Sequence, residues 1–301
     1  ANGSIVFSDS LLPHVAPRRD VDRVASGGFA LGYLSGGLVL LLNLAWVRSP
    51  RTFGLPDAEA ALRLSFLTAA GWWLVFSLPV LRRVPEPPAA LAAGELGLGH
   101  TAAALLRLRQ TFRDLRRYRH LFLFLLAFLV YSDGIGTIVR MGTLYGTELG
   151  VPTGTLVGAV LLIQFLGVPC TLAFGALARR VGPKLPILLT LGVYALVTVV
   201  AYRARGTGDF LLLAVLIGAV QGGAQALSRS LFATLVPQHK SSEFFGFFGV
   251  FEKLGGVLGP ALFASVIGAT GSGRGAVLGL AVFFVVGGGL LARVDVAAGQ
   301  A

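Results

Sequence analysis

"LFLFLLAFLVYSDGIGTIVRMGTL", residues 121 to 144, decides what kind of protein this is. Two charges, Asp133 and Arg140, stand among Leu, Phe, Val, Ile and Gly in a run longer than the roughly 18 apolar residues at which a helix crosses a bilayer. A charge at bilayer centre costs about 2.5–3.5 kcal/mol on translocon-based scales, so each of the two must meet a polar partner or water. They are seven residues apart, about two turns and ~10 Å of rise. They are therefore expected to face one interior space without touching each other.

The whole chain repeats this character. Its 301 residues are 55% hydrophobic and 13% charged, with mean hydropathy +0.78; a soluble domain carries roughly 25% charged residues. The fold class is an all-α membrane protein. Pro, Gly and charged residues bound eight spans, at 28–47, 62–81, 121–144, 155–178, 186–202, 210–235, 244–267 and 275–292. Residues 1–81 hold two of them and 121–301 hold six. Between lies 82–120, opening with the linker "RRVPEPPAALAAGELGLGH" and closing with "LLRLRQTFRDLRRYRH". In the latter, Leu105, Leu108, Phe112 and Leu115 recur at helical spacing opposite Arg107, Arg109, Arg113, Arg116 and Arg117, which reads as an interfacial amphipathic helix against an anionic leaflet, with a solvated linker helix as the plainer alternative.

A net charge of +11 invites a nucleic-acid reading, but the basic residues cluster in loops beside spans. With the long loop inside, sixteen Lys/Arg fall on the inner side and six on the outer, so the charge is topological: the long loop and C-terminus are cytoplasmic and the partner is the lipid bilayer. Lone Cys170 excludes an internal disulfide. The histidines, His14, His100, His120 and His239, lack metal-ligand spacing, and "GSGRG" at 271–275 reads as a turn, so no cofactor and no enzymatic centre is expected. "ANGSIVFSDS" has no signal-peptide pattern, and "SIVF" reads as the stump of a helix.

Other spans offer polar partners: Gln164; Gln221, Gln225, Ser228 and Arg229 along one helix; Glu252 and Lys253 on another. Glu252 and Lys253 diverge by about 100° and should reach different helices. Asp133 with Lys253 is the first expected pair, Arg229 with Glu252 the second. Closed ion pairs that only fix helix packing are the plainer reading of all these groups. Asp133, Arg140, Arg229, Glu252 and Lys253 sum to +1, which leaves room for an anionic group on a solute. Small residues at four-residue spacing, Gly28/Gly32/Gly36, Gly154/Gly158 and Gly255/Gly259, predict close helix approach, and Pro169 and Pro260 predict interrupted helices.

"FGALARRVGPK" resembles the short inner loop of the major facilitator superfamily, with Gly175, Arg180, Gly182 and Lys184 matching and Arg179 standing where that pattern has Asp. "LPHVAPRRDVDRVASGGFALGYLSGG", "FLLAFLVYSDGIGTI", "GAVQGGAQALSRSLFATLVP" and "SEFFGFFGVFEKLGGVLGP" together look like its vacuole-effluxer-like branch, with Ser132 and Gly136 in place of that branch's Asn and Gln. The resemblance implies a twelve-helix bundle of two six-helix halves, of which eight helices are present here. It also implies secondary transport of a small polar solute, amino acids among the candidates, with protons as a coupling partner, in the plasma membrane. Asp133, Arg140, Gln164, Gln221, Gln225, Arg229, Glu252 and Lys253 are the expected site, and Gly175, Arg179, Arg180, Gly182 and Lys184 the conformational loop. The alternative is a truncated, non-transporting fragment or helical scaffold, with a membrane-embedded enzyme third.

Overall fold

The computed structural model describes residues 2–85 and 118–296; the amphipathic helix expected near 105–117 lies outside them. Two short helices, α1 (Asn2–Ser10) and α2 (Leu12–Val15), precede the long α3 (Val21–Arg48) and α4 (Ala58–Arg83). After the linker come α5 (Arg119–Glu148), α6 (Thr153–Val181), α7 (Lys184–Arg203), α8 (Thr207–Leu235), α9 (Ser241–Thr270), α10 (Gly273–Gly279) and α11 (Ala281–Ala292). With α10 and α11 counted as one, eight stretches among the described residues are long and apolar enough to cross a membrane, as the sequence predicts.

The differences from expectation lie at boundaries and prolines. Helix α3 starts at Val21, seven residues before the expected apolar boundary, because the polar turn "VDRVAS" is helical without being lipid-facing. The last span breaks at Leu280, where Leu280 N–H bonds Val277 O and Phe283 N–H bonds Leu280 O in tightened i→i+3 fashion. Pro169 and Pro260 do not interrupt their helices: α6 and α9 run through them.

Glycine lets the helices meet. A Cβ on Gly287 of α11 would lie 2.8 Å from Tyr131 Cβ and 3.0 Å from Tyr131 N on α5, and one on Gly134 of α5 would lie 2.9 Å from Phe283 Cβ. Gly255 and Gly259 do bring α9 onto α5 as predicted, the first 3.0 Å from Leu129 O on the same measure, and Gly36 faces Gln164. Gly28, Gly32, Gly154 and Gly158 have nothing within 4 Å, so their spacing does not mark a crossing; Gly28 and Gly32 instead border a cavity. Around these crossings packs an aromatic core in which Phe128 stacks on Phe248 at 4.1 Å and Phe232 on Phe248 at 4.8 Å.

The two hairpins α2–α3 and α8–α9 repeat one another. Pro17 and Pro237 each open a single 3-10 turn, Arg18–Asp20 and Gln238–Lys240, that leads into a long helix at Val21 and Ser241, so equivalent residues stand 220 positions apart. The dihedrals agree: Val21 at φ −55°, ψ −44° and Ser241 at φ −55°, ψ −45°. Both hairpins turn at the same end of the bundle, where Arg18, Arg83, Arg119, Arg180 and Lys184 also lie. In contrast α4 packs on α3 alone in any depth and turns Phe66 (71% exposed) and Leu81 (75%) outward.

Substituting Gly287→Val should drive a methyl group into the Tyr131 backbone and destabilise the bundle by about 1–3 kcal/mol, whereas Gly289→Val, with nothing within 4 Å, should be neutral. Thermal unfolding of both variants in the same detergent checks the contrast.

Candidate functional site

A polar cavity of about 250 Å³ lies where α5, α8 and α9 converge. Helix α8 presents Gln221, Gln225 and Arg229 at four-residue spacing, one face of one helix, and these line the cavity. From α5 come Tyr131, Ser132 and Arg140; from α9 come Glu252 and Lys253. Seven of the eight expected site residues border this cavity or touch one that does. Gln164 does not; it lines two neighbouring cavities together with Gln221.

Arg229 is the most buried cation among the described residues. Its Nε donates to Asp9 Oδ2 at 2.8 Å and its Nη2 to Glu252 Oε1 at 3.2 Å, so the expected Arg229–Glu252 pair is present. Its guanidinium lies 5.0 Å from the Phe29 ring centroid and 5.7 Å from that of Phe248, a cation sandwiched between quadrupoles. Asp9 sits on α1 and Phe29 on α3, whereas Glu252 and Phe248 sit on α9; the one cation thus ties α1 and α3 to α8 and α9. Neighbouring bonds tie α2 and α3 to the α8–α9 hairpin: His14 Nε2 to Ser241 Oγ at 2.9 Å, Gln238 Nε2 to Pro13 O at 2.9 Å, and Ser230 to Asp22. Asp9 escapes a sequence reading because its helix is too short to count as a span; the signal was an acid in a segment otherwise apolar from Ile5 to Phe7.

The first expected pair is not formed. Asp133, 1% exposed, turns its Oδ2 to the Gly259 N–H at 2.6 Å, in the peptide just before Pro260, and its Oδ1 lies 3.7 Å from Arg140 Nη2. Arg140 therefore reaches back two turns on its own helix to Asp133, contrary to the expectation that the two do not meet. Glycine permits this: the guanidinium lies over Gly136, where a Cβ would come within 3.2 Å of both Nη atoms, and within 3.7 Å of the same point on Gly256. Lys253 has no ion pair among the described residues.

Tyr131 and Ser228 form the cavity's neutral wall. Ser228 Oγ donates its single proton to Ala224 O at 2.5 Å, so Tyr131 O–H must donate to Ser228 Oγ across 2.7 Å, leaving the phenolic oxygen as an acceptor. In the expected loop, Gly175 abuts Ser26 of α3, Arg179 and Arg180 are exposed, and Gly182 turns the chain at φ +79°. Lys184 Nζ donates to Ala292 O and Val294 O at 2.8 and 2.7 Å, capping the end of α11.

Comparison with known proteins gives a consistent picture. The family model described as vacuole effluxer Atg22 like matches residues 10–301. The MFS-type transporter YxiO of Bacillus subtilis, itself uncharacterised, is 36% identical over 95% of this chain and 66% of its own length. Autophagy-related protein 22 of Yarrowia lipolytica is 28% identical over 92% of this chain and 51% of its own, and that of Cryptococcus neoformans is 27% identical over 92% and 53%. The chain thus spans between half and two thirds of the length of these curated relatives. The crystal structure of the human organic anion transporter MFSD10 superposes with a TM-score of 0.65 at 16% identity, covering 95% of this chain and 67% of that one, a likeness of fold.

Removing the Arg229 charge strands two acids. Arg229→Met should cost about 2–3 kcal/mol, less than the 3–5 typical of a fully buried pair because the Glu252 side chain keeps 32% exposure. Adding Asp9→Asn and Glu252→Gln to Arg229→Met should recover most of the loss, as read by thermal unfolding of the single and triple variants.

Proposed function

The chain belongs to the vacuole effluxer Atg22-like family of major facilitator transporters, and from that premise we propose that it serves a secondary transporter moving a small polar solute, amino acids among its substrates, by alternating access. The observation that carries the reading is the polar cavity at the meeting of α5, α8 and α9, walled by charges that membrane spans otherwise avoid.

The basic end faces the cytoplasm, on the Lys/Arg bias of the loops. The relative of 36% identity is bacterial, which favours a plasma-membrane setting over a vacuolar one. At the cytoplasmic end α1 and α2 are bound to the α8–α9 hairpin through Asp9, His14 and Arg229, and rocking must break those bonds before solute can leave inward. Lys184 and the Arg179–Arg180 loop carry the motion of α6 to α7 and α11.

Asp133 is the proton-coupling group. Its Oδ1 and Thr137 Oγ1 are both buried without a hydrogen-bond partner. A proton on Oδ1 would neutralise the carboxylate and loosen its hold on Arg140, linking protonation to the cation that borders the cavity.

In proteoliposomes carrying the full-length protein, Asp133→Asn should retain solute exchange while pH-driven accumulation falls at least tenfold. Undiminished pH-driven uptake would remove Asp133 from the coupling step.

A further inference from the structure

Next to the polar cavity lies a second of about 190 Å³, lined by residues of α5, α6, α7, α8, α9 and α10. Its wall is apolar: Ile138, Leu156, Ala159, Phe210, Leu213 and Val277 contribute to it, with Tyr145 turned away to donate its hydroxyl to Ala201 O. Val139 and Gln221 line both cavities, so the two adjoin across a shared wall of one valine and one amide. One site thus has a charged end and a hydrocarbon end.

The sign of the charged end is read from its lining. Arg140, Arg229 and Lys253 border the polar cavity against one acid, Glu252. Asp9 and Asp133 approach from outside that lining and hold Arg229 and Arg140, and Glu252 is engaged by Arg229. With Asp9 and Asp133 counted beside Glu252, three cations meet three acids and the charges sum to zero, but Arg229 holds two of the acids, so Lys253 has no ion pair among the described residues and the one acid of the lining, Glu252, is already engaged. Arg140 adds donors, since its side chain keeps 45% exposure while 3.7 Å from Asp133, too far for a hydrogen bond. A monovalent oxyanion finds free donors on Lys253 and Arg140, whereas an amine must compete with Arg229 for Glu252.

We propose that the two cavities form one bipartite site for an amphipathic monocarboxylate, whose headgroup lies between Lys253 and Arg140 and whose hydrocarbon tail passes Val139 and Gln221 into the apolar chamber. The inference deepens the transport reading above and rests on it for the consequence of binding, not for binding itself. An α-ammonium group on the ligand is tolerated but not recognised. Val139 sets the passage between the chambers; it is 47% exposed, so a larger side chain there narrows the passage without invading a packed core.

Isothermal titration of the purified full-length protein in detergent separates the possibilities, using acetate, butyrate, hexanoate and octanoate, then norleucine and pentylamine. Affinity should rise about three- to fourfold per added methylene until the chamber is filled, so hexanoate should bind at least thirtyfold tighter than acetate. Norleucine should bind no tighter than hexanoate, and pentylamine at least thirtyfold weaker. Lys253→Gln should weaken hexanoate at least tenfold and leave chain-length preference intact; Val139→Phe should weaken hexanoate and octanoate while sparing acetate. Binding of pentylamine as tight as hexanoate, norleucine more than tenfold tighter, or an affinity independent of chain length each overturns the proposal, as does absence of binding by every carboxylate. Counterflow of hexanoate in proteoliposomes reads the transport step alone: binding without counterflow rejects the carrier function and leaves the site standing.

Discussion

The structure depends on keeping one guanidinium satisfied away from water. Arg229 carries a full charge at 8% exposure, and desolvating such a group costs several kcal/mol unless partners replace its hydration. Two carboxylates and two aromatic rings do so, and they come from both sides of the assembly: Asp9 and Phe29 from the segment before the linker, Glu252 and Phe248 from the segment after it. Lipid offers no hydrophobic drive for one apolar helix to prefer another, so polar contacts and close packing decide which helices stay together. Here α1 and α3 are fastened to α8 and α9 by a cation and several hydrogen bonds, and α3 to α6 by the fit of Gly175 against Ser26.

The same economy of polar contacts explains the cavity. Two of the charges bordering it are held from behind by groups that do not face it, Arg229 by Asp9 and Arg140 by Asp133, and Asp133 is in turn held by the Gly259 amide. The result is a concave surface with charges fixed in place.

How much of this could be read from the chain depends on the range of the forces involved. The spans were legible because the bilayer imposes a local length and composition on each; even so, the polar start of α3 and the break at Leu280 fell outside that rule, since helix extent and lipid exposure are different properties. That the buried charges need partners was equally legible. Which partner each takes was not, because it depends on the rotation of one helix about another: Arg229 with Glu252 was foreseen, but Asp133 chose an amide over Lys253, Arg140 folded back along its own helix, and Asp9 lay in a helix too short to attract notice. Glycine spacing failed for a related reason. Gly255 and Gly259 mark a crossing, whereas Gly154 and Gly158 share the spacing and touch nothing, so the pattern says where a helix is smooth and not what lies against it.

The hairpin repeat has one more implication. Asp9 and Arg229 stand 220 positions apart, the offset that relates Pro17 to Pro237 and Val21 to Ser241, so the acid and the base that hold each other occupy corresponding places in the two repeats. A residue that meets its own counterpart sits close to the pseudo-twofold axis. In a symmetric pair of identical subunits that place would set like beside like, acid against acid or base against base, and the contact would repel. Opposite signs there require the two repeats to differ in sequence, so the attraction exists only because the halves of the contact are no longer equivalent.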